Sequence, residues 1–62
     1  MDKSEWLAAF KAEYLRRTGI TWEDGGQTDE DAIDRYFPDD VTESVLHQIE
    51  KYDLTDITTE TW

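Results

Sequence analysis

The sequence predicts an all-α fold, a compact three-helix arrangement followed by an extended C-terminal tail. Three observations point there. Three stretches each open on a side chain able to cap a helix, and the first two close on Gly19 and Pro38. Within each stretch the apolar residues recur at helical spacing. After Tyr52 the pattern gives way to threonines and β-branched residues, which disfavour a long helix.

In the first stretch Asp2 or Ser4 can cap, and Asp2 with Glu5 forms a capping-box-like pair. Leu7, Phe10 and Tyr14 then mark one face, widened by Trp6 and Leu15, while Arg16 and Arg17 sit in the last turn, where positive charge suits the helix dipole. Gly19 is the stop. Ile20-Thr21-Trp22 reads as a short apolar return onto this helix, and Glu23-Asp24-Gly25-Gly26-Gln27 as a loop.

Thr28 or Asp29 can cap a second, short helix reaching about Tyr36, with Ile33, Tyr36 and Phe37 as its apolar side. Phe37-Pro38 ends it, because a residue before proline avoids the helical region. Asp40 with Glu43, or Thr42 alone, caps a third helix running to about Tyr52 with Val41, Val45, Leu46, Ile49 and Tyr52 as its apolar positions. In the tail, Leu54 and Ile57 are expected to tuck against the core, and Trp62 to be exposed.

At 62 residues the chain is one small acidic helical domain, at the lower edge of independent folding size. Its aromatic content, 13%, argues for an ordered core in a composition whose acidity alone would also suit disorder. There is no cysteine, which removes disulfides, thiolate metal sites and thiol nucleophiles and fits a reducing compartment. No apolar run approaches membrane-spanning length, and the opening Met-Asp-Lys-Ser-Glu lacks the order of a secretory signal, so a cytoplasmic protein is expected.

The net charge is −10, beyond the magnitude of roughly 2–8 that solubility asks of a small domain. It is unevenly placed. Residues 1–22 carry four bases and three acids, whereas residues 23–43 carry nine acids and one base. Those nine, Glu23, Asp24, Asp29, Glu30, Asp31, Asp34, Asp39, Asp40 and Glu43, are the candidate partner-binding residues. Carboxylates three or four apart on a helix lie about 5–6 Å from one another, a spacing of the order of successive phosphates. Asp31 with Asp34, Glu30 with Asp34, and Asp40 with Glu43 have it. Trp22, Tyr36 and Phe37 interleave the acids as core residues or interface anchors. The plainer alternative is a solvated face that keeps an aromatic-rich chain soluble.

Catalytic and cofactor chemistry finds no constellation. His47 is the single histidine, and Ser44 three residues before it is an accident of helical spacing with no orienting carboxylate. An EF-hand count from Asp24 puts Arg35 where the bidentate glutamate belongs, and a count from Asp29 puts Asp34 where the turn glycine belongs. Gly25-Gly26 is not followed by the Lys and Ser/Thr of a phosphate loop. The expectation is therefore a binding protein, not an enzyme, with no cofactor and no metal. The field of the acids repels nucleic acid and anionic membrane, and favours a basic nucleic-acid-binding protein or complex as partner. A homodimer is the other partner the sequence admits.

The opening Ser4-Glu5-Trp6-Leu7-Ala8-Ala9-Phe10-Lys11-Ala12-Glu13, the run Arg16-Arg17-Thr18-Gly19-Ile20-Thr21-Trp22 and the close Ile49-Glu50-Lys51-Tyr52-Asp53-Leu54 resemble the small acidic proteins of bacteriophages and other mobile elements. Within that class the charge is most similar to anti-CRISPR proteins of the DNA-mimic type. The resemblance implies inhibition of a surveillance complex in the host cytosol by occupying its nucleic-acid-binding surface. It rests on size and composition over most of the chain and transfers no functional residue. The rival expectations are an acidic antitoxin-like partner of a basic toxin and a small accessory or structural phage protein.

Overall fold

The computed structural model describes residues 2–58. Three helices follow one another, α1 (Lys3–Thr18), α2 (Asp29–Tyr36) and α3 (Val41–Lys51), with a short 3-10 turn at Glu23–Gly25 between the first two. The all-α three-helix expectation holds, and no strand occurs among the described residues.

Local chemistry sets the helix ends. The Asp2 carboxylate accepts from the Glu5 amide at 2.8 Å, and Gly19 closes α1 in the left-handed conformation (φ 73°), its amide donating to Leu15 O. Thr28 and Asp31 cap α2 reciprocally: the Asp31 amide donates to Thr28 Oγ1 and the Thr28 amide to Asp31 Oδ2. Asp40 caps α3 by accepting from the Thr42 amide. The Phe37–Pro38 peptide is cis, and the Asp39 amide returns to Tyr36 O at 2.7 Å, which reverses the chain between α2 and α3.

After α3 the stop is an aspartate. Asp53 adopts φ 53°, its amide donates to Glu50 O and that of Leu54 to Ile49 O, the paired bonds of a Schellman cap. The cap sends Leu54 back against the core.

The core is aromatic. Trp6, Phe10 and Tyr14 form a single ridge four residues apart along α1, with Trp6 stacked on Phe10 at 5.1 Å between ring centroids. Trp22 is fully buried and meets Phe10 and Tyr14 edge-on, both at 5.0 Å, while Tyr36 stacks on Phe10 and Phe37 lies edge-on to Trp6. Each aromatic pair is worth about 0.5–1.5 kcal/mol beyond the area it buries. Burial raises the pKa of the Tyr14 and Tyr36 phenols. Ala32, Val45 and Ile49 fill the space between α1, α2 and α3.

Four apolar positions are corrected by this packing. Leu15, Leu46 and Tyr52 stand 40% or more exposed: Leu15 and Leu46 each lie about 100° around the helix from a buried neighbour, and Tyr52 lies just past the end of α3. The buried row of α3 instead contains Ser44 and Gln48. Both are satisfied: Ser44 Oγ donates to Asp40 O, and the Tyr36 hydroxyl donates to Gln48 Oε1. Trp22 is core and cannot anchor an interface. Ile57 is half-exposed over Gly19, whereas Leu54 packs as expected. Trp62 lies outside the described residues.

Candidate functional site

Two indoles hold the acidic segment in place. Trp22 Nε1 donates to Thr28 O at 2.7 Å, just ahead of α2. Trp6 Nε1 donates to Asp39 O, also at 2.7 Å, just beyond it. The buried rings satisfy their own N–H groups and pin both ends of residues 28–39 to the core. Trp6 thus meets the start of α3, and Arg17 meets Asp56 beyond its end, so α1 and α3 run side by side in one direction.

The nine candidate carboxylates divide into two groups. Glu23 and Asp29 share Lys11, whose ammonium lies 3.0 and 3.1 Å from them. This pairing raises the pKa of Lys11 and lowers that of Glu23, the Lys11 hydrogen bond being the main cause in the latter. Asp31 and Asp40 are occupied as caps. The other five, Asp24, Glu30, Asp34, Asp39 and Glu43, are exposed and make no side-chain hydrogen bond or ion pair among the described residues.

Asp39, Asp40 and Glu43 line a shallow groove of about 340 Å³ with Arg35, Tyr36, Ser44 and His47. The Arg35 guanidinium is directed to the Tyr52 hydroxyl at 3.3 Å. His47 is exposed and sits edge-on to Tyr36 at 5.8 Å, with Ser44 bonded to backbone, so the two do not form a nucleophile–base pair. Among the described residues no three His, Asp or Glu side chains converge as a metal-binding group.

On α1 the cations Lys11, Arg16 and Arg17 are taken by internal partners. Arg16 forks onto Glu13 at 2.8 and 2.9 Å, and Arg17 binds Glu13 and, at 2.8 Å, Asp56. The Arg16 and Arg17 hydrogen bonds pull the Glu13 carboxyl down to about 2. The basic cluster Lys11, Arg16 and Arg17 is therefore electrostatically engaged within the fold.

The role of Lys11 in drawing Glu23 and Asp29 together spans 12 and 18 residues and leaves no mark in local sequence. The clamps by Trp6 and Trp22 are equally unmarked. No helix among the described residues is long and apolar enough to cross a membrane. No protein-family model, curated protein or solved structure matches the chain.

Proposed function

We propose that this chain is a non-enzymatic binding protein whose acidic segment imitates a polyanion and occupies a basic nucleic-acid-binding surface on another macromolecule. One observation carries the reading. Glu30, Asp34 and Asp39 point unpaired from a segment clamped at both ends, Asp24 and Glu43 flank it unpaired, and Lys11, Arg16 and Arg17 are turned to internal partners. The outward field is negative and the frame beneath it is pre-organised, so little ordering entropy opposes binding. Glu30 and Asp34, one helical turn apart on α2, present charge at phosphate-like separation. A surveillance complex blocked by an anti-CRISPR protein is the narrowest member of this class.

The test uses the full chain as bait in lysate from candidate host cells, at low and high salt and with competing duplex DNA. Recovery of a nucleic-acid-binding complex that DNA displaces is the expected result, and a guide-RNA complex would mark the anti-CRISPR case. Replacing Asp24, Glu30, Asp34, Asp39 and Glu43 together by lysine is expected to abolish capture with helicity unchanged. Asp31 and Asp40 are left in place because they cap helices. A single basic toxin indifferent to DNA would favour the antitoxin-like reading. Recovery of the bait alone overturns the proposal.

A further inference from the structure

We infer that residues 55–58 form a strap that one guanidinium, that of Arg17, latches onto the end of α1, and that the strap opens as a unit while the aromatic core stays folded. Its root is Leu54, fixed by the cap of α3. Its tip meets α1 through polar contacts. The Ile57 amide donates to Arg17 O at 2.7 Å, and Arg17 Nη1 reaches Asp56 Oδ2 at 2.8 Å and Thr58 Oγ1 at 3.3 Å.

Asp56 is shaped for this role by its own turn. Its Oδ1 accepts from the Thr58 amide and hydroxyl, which leaves Oδ2 to face the guanidinium. Arg17 can serve Glu13 and Asp56 together because its planar fork offers separate donors to each, an arrangement a lysine cannot reproduce. The ions are enclosed, with side chains only 16% exposed for Arg17 and 10% for Asp56, so the latch is shielded from solvent. Arg17 O is one of the carbonyls that the end of α1 leaves without a helical partner, and the strap supplies its donor.

Of the strap only the Asp56 side chain is enclosed. Thr55, Ile57 and Thr58 are exposed, and the Ile57 side chain lies over Gly19. With so little apolar area to restore, opening costs far less than global unfolding. It also changes what the end of α1 displays. Closed, Arg16 and Arg17 are balanced by Glu13 and Asp56; open, they outnumber the remaining Glu13 beside the exposed Leu15 and Ile20. Opening the strap thus converts a neutral end into a basic, apolar one.

Residue-resolved amide exchange on the full chain tests this. The Ile57 amide is expected to exchange faster than those of Phe10 and Val45. Asp56→Asn keeps the acceptor for Thr58 and loses the charge. It should speed exchange at Ile57 by roughly tenfold, with Phe10 and Val45 unchanged, as local opening requires. Arg17→Lys should act in the same direction. Unchanged exchange at Ile57 in both variants overturns the latch. Equal acceleration at Ile57, Phe10 and Val45 overturns the strap as a separate unit.

Discussion

The two charged regions of this molecule use their charges differently. Along α1 every cation from Lys11 to Arg17 has a carboxylate partner within the fold, and Glu13 serves two of them. In residues 23–43 the acids are split, some tied to Lys11 or to helix amides and the rest facing solvent unpaired. Net charge says nothing of this division. A carboxylate that caps a helix is part of the scaffold, and one a single turn away is available to a partner.

The two regions depend most heavily on Trp22. Its indole both fills the core against α1 and holds the start of α2, so Trp22→Ala removes one of the two clamps together with the largest buried side chain. A loss of about 3–5 kcal/mol is expected, enough to unfold a domain of this size, read as loss of cooperative thermal unfolding by circular dichroism.

A finer contrast lies inside the acidic segment. Asp40→Ala removes the cap of α3 and is expected to cost about 1 kcal/mol in urea denaturation. Asp34→Ala, on the exposed side of α2, should stay within about 0.5 kcal/mol. Equal costs would erase the distinction between scaffold and displayed acids.

A further effect, read through its dependence on pH, belongs to the arginine pair. The Glu13 carboxyl is lowered from 4.5 to about 2 in the folded state, so the folded chain binds fewer protons than the unfolded one between those values. Its stabilising contribution is complete above about 4.5 and falls away as the pH drops towards 2. Glu13→Gln should flatten the part of the acid-unfolding curve that lies in this window. An unaltered curve would show that the clamp adds nothing to stability.

The helices were legible because their ends are chemically explicit: Asp2, Thr28 and Asp40 accept from amides close in sequence, and Gly19 takes a conformation glycine favours. The packing was less so. Polarity misplaces Gln48 and Ser44, which are buried because the Tyr36 hydroxyl and Asp40 O satisfy them. Trp22 belongs to no regular element, so no period marks it as core. Asp53 ends α3 without the usual glycine. Of the candidate site, the location and the sign of the charge could be read, while the separation of engaged from unpaired acids depends on Lys11 reaching across the chain.

The two indole clamps have a consequence for variation. Both donors lie outside residues 28–39, and both acceptors are main-chain carbonyls, which every residue type supplies. Between the clamps Ala32, Tyr36, Phe37 and the capping pair are tied to the interior or the helix start, and Asp29 to Lys11, which leaves Glu30 and Asp34 open to exchange. This stretch is a replaceable cassette, and related sequences could re-address it to a different partner without relearning how to fold.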